Sequence, residues 1–524
     1  MRTRALLPTA IALAAAALLG GSSRADDQRL PLRLWSLRLP GTELGLEVAD
    51  MNGDGLQDLV IAHMRATTGV ARSVSIYEQG LRGDRFPAEP ALVMDAPADA
   101  CTFAAGDFDP HPGGEVVFLC PDRVELVQRS GARRVVVRVA SFFDYPERGG
   151  LPLWDLAWDL DGDGAPELLV PTKTGYLILG RPGGGPLAQV GQVDVPLDLR
   201  FGPTFETTLL NRFLSASARL RRLSAADLNG DGRTDLVGYL EGGLASFHQR
   251  PDGGFPRRPD AQKPLDVVQG DAAKKGGEGE QKDGSEAFAN VRLTLEDVDG
   301  DGRADLLVTR TLGELGVFQT MRTQQLVFCA KDDGTWDERR PAAVLNLKGI
   351  TDDPTLVDWD GDGRKDLVLS SYRMDMFTNV RRAIAESLTI TYMIFRQTDD
   401  AEARFRDEPD LVFDVEVPLE VLQTRGGHQA VILRADLDGD GIHDMISRRP
   451  DGGLQVELGV VSKGFFGGTT LGFDRERPIR LAVGRTEPPR VVDLDGDGKH
   501  KLVLEPFGGD DQEARTVRVV GVAR

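Results

Sequence analysis

One acidic pattern recurs along the chain and decides what it can fold into. It reads Asp-x-Asp/Asn-Gly-Asp-Gly-x-x-Asp/Glu, and an aliphatic run follows at once. The first copy carries Asp50, Asn52, Asp54 and Asp58 ahead of Leu59-Val60-Ile61-Ala62. Later copies carry Asp159, Asp161, Asp163 and Glu167, then Asp227, Asn229, Asp231 and Asp235. They are followed by Asp297, Asp299, Asp301 and Asp305, and by Asp358, Asp360, Asp362 and Asp366. The last two are Asp436, Asp438, Asp440 and Asp444, and Asp493, Asp495 and Asp497 with Lys501 at position nine. A degenerate copy, Asp107 to Glu115 with His111 and Pro112 inside it, fills the one long gap. The eight starts are separated by 57, 52, 68, 70, 61, 78 and 57 residues. Such spacing marks a repeat architecture, in which no unit buries its apolar face alone.

The flanks of each copy read as β-structure. Short aliphatic or alternating stretches precede and follow the turn, as in LGLEVAD and DLVIAHM. A third strand comes next (SVSIYEQ, LTITYMIF), then a connection with Phe or Trp and Pro, then a fourth strand such as ALVMD or AAVLNL. Each unit is thus a four-stranded meander of propeller-blade size. With 61 Gly and 30 Pro, the chain also has the turn residues that so many reversals need. After the last motif only KLVLE and TVRVVGV remain, whereas an extra strand, Leu32 to Leu39, precedes the first motif. Pairing these two ends completes the last blade and removes two exposed edges. The expected fold is all-β: an eight-bladed β-propeller of four-stranded blades closed by an N-terminal strand, with short helical insertions. Seven blades is the alternative, with the degenerate copy as an insertion.

Acids at positions 1, 3, 5 and 9 curl hard oxygen ligands around one point. Gly at position 6 allows the bend, and the carbonyl of position 7 can complete the shell. That oxygen-rich cage suits Ca²⁺ better than Mg²⁺, which demands a tighter octahedron. An EF-hand shares positions 1, 3, 5 and 6 but needs a Glu at position 12 and flanking helices; here Ser447 and Ile61 fall inside strands. The competing reading is that Asp, Asn and Gly simply favour turns. Against it, the seven good copies hold 25 carboxylates in nine-residue windows, which would repel strongly without a counter-charge. We expect six or seven structural Ca²⁺ ions. The second loop, with His111 and Pro112, is expected to bind none, and Lys501 weakens or replaces the ion of the eighth.

On these loops the sequence resembles FG-GAP/VCBS repeats, the units of integrin α-subunit propellers and of many exported bacterial proteins. The resemblance covers nearly all of the chain after its leader. It implies a β-propeller with structural calcium in its hairpin loops, similar to modules used for adhesion or ligand binding.

Met1-Arg2-Thr3-Arg4, the apolar run to Gly21 and Ser23-Arg24-Ala25 read as a signal peptide cleaved after Ala25. Residues 26–524 would then form a single propeller domain, secreted or periplasmic, without membrane insertion. In an oxidising compartment Cys101 and Cys120, flanking the second turn on facing strands, are candidates for a disulfide, with Cys329 left over. The formal charge of −20 argues against nucleic acid, whose phosphates need a basic face. A monomer is expected.

Within a blade the acidic turns share one face with the third-to-fourth-strand connections. The large insertions fall on the other face: Phe201 to Arg222, where apolar residues stand near helical spacing, a charged Gly-rich stretch at 269–287 expected to be disordered, and 373–387, readable as a short helix. Loops carried by a rigid scaffold are where binding usually sits. Phe201, Phe205, Arg212, Phe213, Phe377, Arg381 and Arg382 are therefore the candidate contacts for a protein or glycan partner. The alternative is that these segments cover the central channel. No nucleophile elbow, zinc helix or phosphate loop is present, and the six histidines read as structural or as loop residues, leaving no catalytic residue to name. A binding or adhesion module is the leading reading; a polysaccharide lyase-like enzyme acting on acidic polysaccharide and a purely architectural spacer are the alternatives.

Overall fold

The computed structural model describes residues 30–522 except 65–70, 81–85, 144–149, 156, 206–211, 241, 269–287, 313–320, 373–386, 401–403, 419–430, 450, 464–468, 485 and 507–514. Its strands form eight antiparallel meanders and two separate hairpins. Blade 1 is typical: Thr42–Ala49, Asp58–Met64, Arg72–Tyr77 and Leu92–Asp95 pair in chain order. The acidic turn always joins the first strand to the second.

Burial explains the sequence pattern of each strand. Second and third strands are sandwiched between neighbouring blades, so Asp58–Met64 and Arg72–Tyr77 are buried almost throughout and read as continuous apolar runs. Fourth strands have one wet side. Leu411–Pro418 and Ala343–Lys348 accordingly alternate. The first strands of successive blades meet, as Thr42–Ala49 does with Thr102–Gly106, which places them nearest the axis.

The core is not one mass but eight clusters, each between two consecutive blades. Val60, Val74, Phe103, Val116 and Phe118 join blades 1 and 2, whereas Leu37, Leu46, Ile61, Val503 and Val519 join blades 8 and 1. Each fully buried Leu, Ile or Phe contributes about 1.5–3 kcal/mol relative to exposure. Every blade therefore depends on two neighbours, and the ring closes as expected. Blade 8 consists of Arg490–Val492, Lys501–Leu504, Thr516–Val522 and, from the other end of the chain, Leu32–Arg38. That last pairing runs from Leu32 opposite Val522 to Arg38 opposite Thr516.

Four expectations need correction. Helix among the described residues is confined to single turns at Pro182–Gly184 and 266–268, so the helix expected within 201–222 is not borne out, and the one expected at 373–387 lies outside the described residues. The stretch containing Phe201, Phe205, Arg212 and Phe213 is instead a hairpin, Asp198–Phe205 paired with Arg212–Arg219. A spacing of four residues falls on one face of a strand as readily as of a helix, and Pro203 opposes a helix interior. A second hairpin, Gly459–Lys463 with Thr469–Phe473, sits between the third and fourth strands of blade 7, on the acidic-turn side, so insertions are not confined to the opposite face. Finally, Cys101 and Cys120 lie one step beyond the Thr102–Leu119 pair but remain free, buried thiols. Cys101 Sγ turns to the Asp99 carbonyl at 3.7 Å, while Cys120 packs into the apolar cluster between blades 1 and 2. The leader reading (1–25), the stretch 269–287 and Phe377, Arg381 and Arg382 lie outside the described residues.

Candidate metal centres

The turn chemistry is the same in loops 1, 3, 4, 5 and 7, whereas in loops 6 and 8 the position-five amide turns to the position-one carboxylate instead. Position-one carboxylate oxygens accept N–H groups from positions four and six: in loop 1, Gly53 N to Asp50 Oδ1 at 2.7 Å and Gly55 N to Asp50 Oδ2 at 2.8 Å. Both glycines have positive φ, 78° and 84°, which a side chain rarely tolerates, so the sequence needs Gly at position four as well as six. Positions three and five accept from the amide two residues on, as in Asp54 N to Asn52 Oδ1 and Leu56 N to Asp54 Oδ1, both 2.9 Å.

Position nine has a different task. Asp58 is fully buried and takes Met51 N at 2.9 Å and Gln79 N at 2.8 Å, tying the turn to the end of the third strand. Asp305, Asp366 and Asp444 make the same pair of bonds. Burial pushes these acids up, to about 6 in Asp58 and Asp305 and about 7 in Glu167, Asp366 and Asp444. Asp438 at position three is likewise raised to about 6, by burial and then by Asp440. A bound cation would reverse that penalty.

Four loops gather carboxylate oxygens within 4.8 Å of one another: Asp159, Asp161 and Glu167; Asp297, Asp299 and Asp301; Asp358, Asp360 and Asp366; Asp436, Asp438 and Asp440. In loops 1 and 4 position three is Asn52 or Asn229, so the third oxygen there is an amide. Asp360 provides the sharpest test of fit. Its side chain is only 3% exposed and Oδ2 pairs with Arg396, yet its buried Oδ1 has no hydrogen-bond partner. A buried, unsatisfied carboxylate oxygen beside two more carboxylates is what a divalent cation would satisfy. Loops 2 and 8 do not fit. His111 and Arg134 hold Asp109, Arg181 holds Asp107 at 2.5 Å, and in loop 8 Lys501 lies directly on Asp495, both buried. Loop 5 has one extra donor, Cys329, whose sulfur lies with Asp299 and Asp305; burial pushes this thiol up to about 12.

The loops are also joined to one another, which the sequence did not reveal. Each blade donates a hydrogen bond to a position-one or position-two carbonyl of the preceding loop. Five junctions use the position-eight amide: Gln57 to Leu494, Gly114 to Met51, Ala304 to Asp227, His443 to Trp359 and His500 to Asp436, at 2.7–3.2 Å. Gln249 and Gln397 side chains serve Leu160 and Val298, at 3.0 and 2.6 Å. Where position eight is Pro166, which has no N–H, the Leu187 amide reaches Phe108 O at 3.2 Å. The result is a closed girdle of eight links. His443 and His500 sit at its last junctions, half-buried and facing each other with ring centroids 6.1 Å apart, rather than solvated as loop residues would be. His63 is buried on Ser75 Oγ at 2.8 Å, and His248 meets Asp235 at 2.9 Å.

Among the described residues no helix is long and apolar enough to cross a membrane. No protein-family model matches the chain, and no curated protein matches it in sequence. Among solved structures, a lectin from Agrocybe aegerita that recognises non-reducing terminal N-acetylglucosamine aligns over 94% of this chain and 96% of its own, at 14% identity and a TM-score of 0.39. A V. cholerae biofilm matrix protein aligns over 95% and 92%, at 12% identity and a TM-score of 0.38. Both likenesses are weak, and the propeller assignment rests on the sheets themselves.

Proposed function

We propose that this chain is an exported, calcium-stabilised propeller of the FG-GAP/VCBS kind, acting as a binding or adhesion module for a protein or glycan partner. The observation that carries the calcium reading is the unsatisfied Asp360 Oδ1 inside a three-carboxylate cluster, in a turn whose pattern recurs around the ring. Loops 1, 3, 4, 5, 6 and 7 take one ion each; Lys501 supplies the positive charge in loop 8, and His111, Arg134 and Arg181 supply it in loop 2. A ring held by rigid turns then presents its connections to a partner. The hairpin Asp198–Phe205/Arg212–Arg219, between blades 3 and 4, is the described part of that surface, and Leu199 on it is 54% exposed.

The test is thermal unfolding in calcium and in chelator, with bound metal counted. A filled site at one hundred times its Kd adds about 2.7 kcal/mol, so losing six should lower Tm strongly. No shift and no bound metal would reduce the acidic turns to turns.

A further inference from the structure

The first strand of blade 6 is broken. Ile350–Thr351 and Thr355–Val357 both pair with Asp366–Tyr372, but Asp352-Asp353-Pro354 bulge out between them. Thr351 stands opposite Ser371 and Thr355 opposite Val368, so Leu369 and Ser370 have no first-strand partner. Proline, lacking an N–H, ends a ladder in this way, and bulges re-aim the side chains around them. The gap opens a pocket of about 290 Å³ between the first strands of blades 5, 6 and 7, reaching in to Tyr392 on the third strand of blade 6.

The polar groups of this pocket are not equivalent. Arg292 is occupied: it pairs with Asp353 at 2.6 Å and donates to the Thr351 carbonyl. Asp352 is oriented by the Ser370 hydroxyl, which donates to its Oδ2 at 3.0 Å. Tyr392 is held neutral, its pKa raised by burial and then by Asp352. Arg434 is different. It is exposed at the pocket rim on the first strand of blade 7, and among the described residues nothing pairs with it. In a chain of formal charge −20, a guanidinium with no direct partner at a pocket rim favours an anionic group on the ligand, placed away from the Asp352 carboxylate. Its planar fork suits a carboxylate. An oriented carboxylate and neutral hydroxyls beside it suit ligand hydroxyls, and Val368, Leu433 and the Tyr392 ring give an apolar floor. The volume lies at the small end of ligand pockets, about 300–1,000 Å³, enough for one compact unit.

We propose that this pocket binds a small hydroxy acid of sugar-acid type, its carboxylate on Arg434 and a hydroxyl on Asp352. The site rests on the binding-module reading only in naming what such a module would engage, and it does not require the acidic loops to hold metal.

The experiment is calorimetric titration of the full chain, in calcium, with D-glucuronate, D-glucose and acetate. Glucuronate should saturate, with glucose and acetate each about tenfold weaker or more, since one charge-assisted contact is worth roughly that factor. Arg434→Gln should cost glucuronate about tenfold and leave glucose unchanged. Ser370→Ala, which frees Asp352 without removing it, should weaken glucuronate and glucose together and spare acetate. Metal content and Tm of each variant check the fold. Equal binding of glucuronate and glucose by the unaltered protein, or by Arg434→Gln as tight as the parent, overturns the pocket. A calcium-dependent Tm with no glucuronate binding would overturn this site alone; glucuronate binding with no response to chelator would overturn the calcium reading and leave the site standing.

Discussion

At the residue scale, carboxylates that look alike in the sequence do different jobs. Asp366 holds two backbone amides, Trp359 N and Gln397 N, whereas Asp360 Oδ1 holds none. In chelator, Asp366→Ala should therefore cost about 2–4 kcal/mol by urea denaturation, because it strands two buried donors. Asp360→Asn strands no backbone donor and keeps an acceptor for Arg396, so in chelator it should cost less than Asp366→Ala, and on the calcium reading it should reduce the stabilisation that added calcium gives. Equal losses from the two substitutions would refute this division of labour. The buried position-nine acids also set a pH dependence for the metal-free protein. Their folded pKa values, about 6 to 7, lie above the value near 4 expected of an unfolded carboxyl. Between those limits the folded state keeps protons that the unfolded chain has released, so their contribution is largest at low pH and is lost as pH rises through 6 to 7. Tm in chelator should fall from pH 5 to pH 8 on this account, while the calcium-induced rise in Tm grows. The sequence showed which acids recur, because spacing is visible there. It could not show that position nine is buried, since that depends on where the third strand ends.

At the scale of single elements, the blades were legible and the two hairpins were not. Four strands and an acidic turn recur often enough for their alternation to identify them. Residues 198–219 have no second copy to compare with, and their apolar period fits helix and strand alike. The hairpin at Gly459–Phe473 was hidden because its strands run straight on from the third strand of blade 7. It is integral nonetheless: Phe473 meets Trp359 and Phe413 edge-on, with ring centroids 5.4 and 5.2 Å away, and Arg475 stacks over Phe413. Phe473→Ala should cost about 2–3 kcal/mol, toward the low end for an aromatic truncation because the ring is only half-buried. A loss below about 0.5 kcal/mol would mean that the hairpin merely rests on blade 6.

At the scale of the whole molecule, eight interblade clusters and eight girdle links leave no blade independent. Calorimetry of the calcium-loaded chain should show one dominant transition, and chelation should shift it as a unit rather than split it. Gln397→Leu, which breaks the link to Val298 without touching a carboxylate, should broaden that transition while leaving the number of bound ions unchanged. Separate transitions in the unaltered protein would contradict the coupling.

The clasp that seals the ring also has a direction. Leu32 lies opposite Val522, and the ladder runs inward from there to Arg38 and Thr516. Force applied through both of these ends would load the pairs one at a time, as a zipper opens, instead of shearing all seven together. Such a ring is mechanically weak between its two ends and robust when held by one. A molecule of this shape that works under tension should be tethered at a single end, leaving the clasp unloaded. Single-molecule pulling through residues 30 and 522 should open it at low force and in small steps.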